Sequence, residues 1–338
     1  MNRFKKVLVT GGAGYVGSLL VPTLLGDGHE VVVYDSCLFG DWGLDAVKGR
    51  KGFTLVKADI LDQAAYKAAL AGVDAVIHLA CISNDPTFAL NPGLSKRVNF
   101  DAFEPLVTLS KEAGVKRFIY ASTSSVYGVS DAPEVTEDHP LIPITDYNKY
   151  KGLCEPVLKR HQGPGFTVVT IRPATVCGYA PRLRLDLTVN ILTACAFFKG
   201  EITVYGGAQT RPNLHVGDMV DLYRLLLSLP DETVAGGVFN AGYQNRSVAD
   251  IAQVVKSVVE AKVPARKGVK VLTTPSDDPR SYHISSEKIR KALGFVPKRT
   301  IEDAVSDLVD AFAAGKVPAA MTDPRYYNIK TLQAKSAA

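Results

Sequence analysis

The sequence predicts a doubly wound α/β protein: a parallel sheet covered on both faces by helices, followed by a smaller mixed α/β region toward the carboxyl end. Three observations predict it. Short β-branched runs alternate with helical patterns through the first half. Those runs are apolar throughout rather than alternating, as strands buried on both faces must be. A balance of 46% hydrophobic to 22% charged residues over 338 positions is that of a globular chain with ample core.

The elements follow in order. "KKVLVT" reads as the first strand and "YVGSLLVPTLLGDG" as the helix after it; "EVVVYD" and "FTLVKAD" are the next strands, "LDQAAYKAALAG" a helix, and "DAVIHLA" a strand. A long helical stretch runs to "KEAG", and "VKRFIYAS" is the fifth strand. A helix is expected from Asp146 to His161, closed by "GPG", before another buried strand, "FTVVTIRP". Beyond Pro173 the rhythm changes, and "RLRLDLTVNILTACAFFKG", "ITVYGG" and "SVADIAQVVKSVVEA" suggest helices packed as a cap beside the sheet. Residues 331–338 read as a polar tail that frays. Pro105 and Pro156 fall inside helical stretches, where each costs about 3 kcal/mol unless it occupies a first turn or a kink.

Charge and composition exclude several classes. A net charge of +5 without a run of five basic residues gives no nucleic-acid footprint, and suits an anionic small molecule. "MNRFKKVLVTGGAG" has too short an apolar run for a leader and reads as a strand. No stretch approaches the 18 or so apolar residues needed to span a bilayer, so no membrane association is expected. Five cysteines (Cys37, Cys81, Cys154, Cys177, Cys195), odd in number and not closely paired, point to a reduced cytoplasmic setting. His29, His78, His139, His161, His215 and His283 lack ligand spacing, and no metal is expected; they read as cofactor-lining or surface residues.

"VLVTGGAGYVGS" places Gly12, Gly14 and Gly17 in a G-x-G-x-x-G turn between a strand and a helix, with Gly11 adjoining. Glycines there tighten the turn and let the backbone approach a pyrophosphate, while the helix amino end offers N–H groups and positive dipole. Asp35 ends the second strand, where its carboxylate can accept bonds from the adenosine ribose and repel a 2′-phosphate. NAD is therefore expected over NADP.

In "ITDYNKYKG", Tyr147 and Lys151 are four residues apart and so share a helix face, about 40° apart. Tyr150 and Cys154 have the same spacing. With Thr10 to Gly17 in the pattern T-G-x-x-G-x-x-G, and with "KADILD", "HLA", "VN", "YASTSSVYG", "YNKYK", "IRPATVCG" and "RPNLHVGDM", the chain resembles the nucleotide-sugar epimerase and dehydratase branch of the extended short-chain dehydrogenase/reductases.

The resemblance implies a Rossmann domain over 1–173 carrying the catalytic residues, and a region over 174–330 that mainly binds a nucleotide-diphosphate sugar, with some segments returning to the core. It implies Tyr147 and Lys151 as the catalytic pair, Tyr150 as a packing neighbour, and Thr123 as the hydroxyl that holds the reacting oxygen. A phenol with a pKa near 10 is a weak base at pH 7, and a nearby ammonium plus a positive nicotinamide favour the phenolate. NAD would be held by Gly11, Gly14, Tyr15, Val16, Gly17, Asp35, Asp59, Ile60, Leu79, Ala80, Asn99, Tyr147 and Lys151. Substrate would meet Ser83, Ser124, Thr175, Asn190, Arg211 and Arg280, the two arginines gripping the diphosphate with forked donors.

Dehydratases of the branch carry Asp-Glu after the threonine, and decarboxylases a Glu at the second place; here stand Ser124 and Ser125. The resemblance thus favours an NAD-dependent nucleotide-sugar epimerase, with a nucleotide-sugar dehydrogenase or 4-keto-sugar reductase as the alternative. Thr175 replaces a frequent Asn, and Cys177 a frequent Tyr, while Cys81 replaces a small residue; either cysteine could face the pocket. Family members commonly pair through the helix bearing Tyr147 and the one around 99–111, so a homodimer is expected.

Overall fold

The computed structural model describes residues 3–130, 132–276 and 281–336. Its strands are β1 (Lys6–Thr10), β2 (Glu30–Asp35), β3 (Phe53–Lys57), β4 (Ala75–His78), β5 (Arg117–Ala121), β6 (Thr167–Pro173), β7 (Thr175–Cys177), β8 (Glu201–Tyr205), β9 (Thr210–His215), β10 (Gly237–Ala241), β11 (Gln244–Ser247) and β12 (Lys270–Thr274). Seven form one sheet in the order β10-β6-β5-β4-β1-β2-β3, every pairing parallel. This is the doubly wound Rossmann arrangement that the apolar runs predict. Strand order reverses at β1, where β2 and β4 flank it, so the ligand crevice opens at the carboxyl ends of these three strands.

Two hydrophobic layers sandwich the sheet. Val7, Val9, Val31, Val33 and Ile77 face one layer, and Leu8, Val32, Tyr34 and Val76 the other, which is why both parities of each strand are apolar. The second half contributes β10 to the main sheet and builds two small sheets, β11-β9-β7 and β12-β8. The helices Thr188–Lys199, Val248–Lys262 and Ile301–Ala313 share a separate core through Val189, Ala252, Val255 and Val305.

The two prolines sit differently. Pro105 lies in the first turn of the helix Phe103–Glu112, directly after a wide turn, Arg97–Asp101, so its missing N–H leaves no helical bond unmade. Pro156 sits within Asp146–His161, which has the limits expected from sequence. The carboxyl end departs from expectation: residues 331–336 do not fray but belong to a helix, Asn328–Ser336. Among the described residues no helix is long and apolar enough to cross a membrane.

Candidate active site

The glycine turn rises from β1 and enters the helix Gly17–Gly26. Gly11 adopts φ +70°, and a Cβ there would lie 2.7 Å from the Ala80 backbone nitrogen, so the turn packs on the Leu79–Ala80 segment that leaves β4. A Cβ at Gly17 would lie 2.4 Å from the Gly12 carbonyl, so the helix can begin this close only with glycine. Gly14 and Val16 stand partly exposed at the helix amino end. Tyr15 is buried, its hydroxyl donating to the Gly178 carbonyl at 2.5 Å and its own carbonyl accepting from Ser18 Oγ at 2.9 Å.

Asp35 accepts from Ala13 N at 3.0 Å and Cys37 N at 2.8 Å, which ties β2 to the glycine turn. Burial raises its carboxyl pKa, and the two N–H groups oppose the rise. Asp59 is exposed, Ile60 buried, and Leu79 and Ala80 half-buried. Asn99 braces rather than presents itself: its amide accepts from Ile82 N at 2.8 Å and donates to Ile82 O at 2.9 Å, fixing the loop after β4. His78 differs from the cofactor-lining expectation, since its ring is 4% exposed and packs against Phe103, Phe118 and Tyr120.

The helix Asp146–His161 is capped by Thr145, whose hydroxyl accepts from Asn148 N and donates to Asp85 at 2.6 Å. Lys159, Arg160 and His161 complement the dipole at its other end. Lys151 is 3% exposed, donates to the Ala121 carbonyl at the end of β5, and lies over the Tyr120 ring at 4.7 Å. One turn further, Glu155 accepts from Ser122 Oγ at 2.6 Å and from Arg172 of β6 at 2.6 and 3.0 Å. Arg172 continues to Tyr127 Oη at 2.7 Å, and Tyr127 to Asn240 of β10 at 2.7 Å. One buried chain of polar contacts thus holds the Tyr147 helix against three strands.

Tyr147 is half-buried. Burial pushes its phenol well above 10; the charges of Cys81, Asp85 and Tyr282 add to the rise and Arg184 opposes it. Thr123 follows β5 and caps the turn Ser124–Tyr127, its side chain accepting from Ser125 N at 3.2 Å. The Ser124 and Ser125 hydroxyls lie 3.3 and 3.1 Å from that of Tyr282. Tyr150 stacks on Phe88 and packs on Phe100.

The residues expected on substrate divide. Ser83 is half-buried in the loop after β4, accepting from Arg184 at 3.1 Å and Asn328 at 3.0 Å. Thr175 and Arg211 lie half-buried on β7 and β9. Asn190 is fully buried: its amide accepts from Gly178 N at 2.9 Å and donates to Arg184 O at 2.9 Å and Tyr15 Oη at 3.3 Å, so it stitches backbone segments together. Arg280 lies outside the described residues. Cys177 is 1% exposed, and burial pushes its thiol up to about 12, so it is core rather than pocket; Cys81 is half-buried near Tyr147.

Sequence reasoning missed the segment 182–186. Arg184 is clamped to Asp186 at 2.9 and 3.2 Å, and Asp186 also accepts from Asn328 N at 3.1 Å and Asn84 Nδ2 at 3.4 Å. Asn84 holds φ +69°, ψ 157°, a conformation costly for a side-chain-bearing residue, at the cap of the helix Asp85–Leu90. In sequence, "RLRLD" reads as a strand with its three charges on one solvent face, which is why the segment passed unnoticed.

A profile of the NAD dependent epimerase/dehydratase family matches residues 7–242. The chain belongs to that family. UDP-glucuronic acid decarboxylase 1 of Arabidopsis thaliana is 30% identical over 91% of this chain and 69% of its own length. UDP-glucose 4-epimerase of Lactobacillus helveticus is 29% identical over 89% and 95%, and dTDP-glucose 4,6-dehydratase of Streptomyces griseus is 29% identical over 90% and 92%. The solved structure of MoeE5 with UDP-glucuronic acid and NAD superposes with a TM-score of 0.77 at 25% identity, covering 92% of this chain and 99% of that one. A UDP-N-acetylglucosamine 4-epimerase from Methanobrevibacter ruminantium M1, at 24% identity and TM-score 0.82 over 92% and 98%, shares the fold. The cofactor is NAD, and the glycine turn fits a dinucleotide: no side chain can occupy the space at Gly11 or Gly17, and an acid stands at Asp35.

Proposed function

We propose that the protein is an NAD-dependent nucleotide-sugar epimerase that inverts a carbinol through a keto intermediate with no net redox change. The observation that carries this reading is the pair after Thr123. Ser124 and Ser125 place hydroxyls against Tyr282, so these two positions do not supply the extra acid and base that elimination of water requires. The relatives include epimerases, dehydratases and decarboxylases at similar identity, and this local chemistry is what supports the epimerase reading.

When bound, NAD supplies the hydride acceptor and donor. Tyr147 takes the hydroxyl proton of the sugar as general base and returns it from the same atom. Its phenol needs positive charge nearby to ionise; Arg184 supplies one such charge, and Lys151, four residues on along the same helix, is assigned the second. The Thr123 hydroxyl steadies the developing charge on the reacting oxygen. Thr175 and Ser83 border the sugar, and Arg211 with Arg280 grips the diphosphate. A homodimer forms through the faces of Phe103–Glu112 and Asp146–His161, where Leu153 is 41% exposed and a groove lined by Phe100, Pro105, Leu109 and Val157 opens. The setting is a reducing cytoplasm, consistent with five free cysteines.

The test is to denature freshly purified protein without added cofactor and quantify released nicotinamide, then screen UDP-, GDP-, CDP- and dTDP-sugars for inversion by NMR. Near-stoichiometric NAD⁺ and inversion of one sugar are expected, with Tyr147→Phe keeping NAD and losing turnover about a hundredfold or more. An empty protein that oxidises or reduces a sugar nucleotide with exchange of cofactor would overturn the epimerase reading.

A further inference from the structure

The carboxyl-terminal helix Asn328–Ser336 packs against the short helix Asp85–Leu90, which follows β4 at the crevice. Its first residue, Asn328, is buried and makes three bonds there. The backbone N–H donates to Asp186 Oδ2 at 3.1 Å, the side-chain Nδ2 donates to Ser83 Oγ at 3.0 Å, and Oδ1 accepts from Arg182 Nη2 at 2.6 Å. What these bonds hold is Arg184. Its Nε and Nη2 donate to the Asp186 carboxylate at 2.9 and 3.2 Å, and its Nη1 donates to Ser83 Oγ at 3.1 Å. Asn328 therefore fixes both anchors of this guanidinium, the carboxylate and the hydroxyl. The Arg184 and Asp186 side chains are only 11% and 13% exposed, so water screens their field little. Asp186 takes the Nε side, which turns the Nη1 edge, the positive end of the pair, to the loop after β4.

That loop leads to Tyr147. Asn84, next to Ser83, donates from Nδ2 to Asp186 Oδ2 at 3.4 Å and keeps its costly φ of +69° at the cap of Asp85–Leu90. Asp85 accepts from Thr145 Oγ1 at 2.6 Å, and Thr145 caps the helix whose second residue is Tyr147. Around the Tyr147 phenol, Cys81, Asp85 and Tyr282 oppose ionisation and Arg184 favours it, with Lys151 one turn on along its own helix. Tyr147 and Cys81 act on Arg184 in turn, so the three lie together.

We propose that the carboxyl-terminal helix is part of the catalytic apparatus: Asn328, through Asp186 and Ser83, holds the Arg184 guanidinium beside Tyr147, where its charge favours the phenolate. Arg184 and Asn328 are positioning residues that act through Tyr147. The proposal rests on Tyr147 as the base and not on which sugar is turned over.

The experiment uses full-length protein saturated with NAD⁺ and isotopically labelled at the tyrosine Cζ. The Tyr147 signal is identified by its loss in Tyr147→Phe and titrated by NMR up to about pH 10, near the ordinary phenol value. Arg184→Met is expected to raise the Tyr147 midpoint by about one unit, which leaves about tenfold less phenolate at a pH below it. Asn328→Ala should raise it by less, since its backbone N–H and Asn84 still hold Asp186. Arg184→Lys should keep most of the wild-type value, and NADH affinity, read by fluorescence, should be unchanged in all three. A midpoint unmoved in Arg184→Met would make the arginine structural and overturn the proposal. So would a midpoint that moves in Arg184→Met but not in Asn328→Ala, which would remove the carboxyl-terminal helix from the apparatus, or a wild-type phenol that stays protonated throughout. Should Arg184→Met not fold because Asp186 is left unpaired, Arg184→Met combined with Asp186→Asn is read in its place, with a rise again expected and an unmoved midpoint overturning the proposal. The titration needs no substrate, so failure to turn over any sugar nucleotide would count against the epimerase reading alone.

Discussion

His78 makes the stability of this protein fall steeply in mild acid. Its ring is enclosed by Phe103, Phe118 and Tyr120, and its Nδ1 lies 2.9 Å from Thr10 Oγ1. Burial, with the Lys151 ammonium second, lowers its pKa from 6.5 to about 3. In the unfolded chain the imidazole binds a proton below pH 6.5, while the folded state refuses it until about pH 3. Stability contributed by the neutral ring is therefore intact above pH 6.5 and is lost as pH falls through that window. At about 1.4 kcal/mol per pH unit, the loss is on the order of 3 kcal/mol by pH 4.5. Urea unfolding of wild type and of His78→Phe at pH 7 and pH 4.5 isolates this share, since the carboxylates titrate alike in both. The wild type should lose about 3 kcal/mol more than the variant between the two pH values. Equal losses, or an NMR titration placing the His78 pKa near 6.5, would refute the reasoning. Lys151→Met removes the second cause and should raise the lower edge of the window, narrowing it and reducing the total loss.

Glu155→Gln leaves Arg172 buried without its carboxylate and is expected to cost about 3–5 kcal/mol in chemical denaturation; a cost below about 1 kcal/mol would show that the pair does not hold the Tyr147 helix. Gly17→Ala forces a Cβ to 2.4 Å from the Gly12 carbonyl, so the purified protein should carry far less NAD than wild type, measured by nucleotide release. Asn190→Ala removes four internal hydrogen bonds and should lower stability by about 1–3 kcal/mol with the KM for the sugar nucleotide unchanged; a raised KM at full stability would assign Asn190 to the substrate.

The sheet was legible because burial on both faces writes itself as unbroken apolar runs, and the helix Asp146–His161 because Thr145, Asp146 and the terminal Lys-Arg-His mark both its ends. The glycine turn and Asp35 were legible because their spacing is local. The segment 182–186 was not, because its meaning depends on Ser18, Ser83 and Asn328, which are distant in sequence and meet only in the folded chain. Asn190 and Asn99 show the converse. A polar side chain near a binding crevice reads as a ligand contact, yet backbone groups left unpaired by irregular loops claim its amide first. His78 was misread because its strand neighbours line the crevice, and strand alternation sends its ring into the opposite layer.

Strand β10 has a consequence for the order in which the molecule is made. It lies beside β6 in the finished sheet but is translated only after the Thr188–Lys199 and Val216–Ser228 helices. A nascent chain that has already assembled β1 through β6 therefore carries β6 as a bare edge, with unpaired backbone groups along a run of Val168, Val169 and Ile171. Until Gly237–Ala241 leaves the ribosome, that edge is open to pairing with another chain. The protein is most vulnerable to aggregation during this interval of its synthesis, and slowing translation between residues 173 and 237 lengthens it.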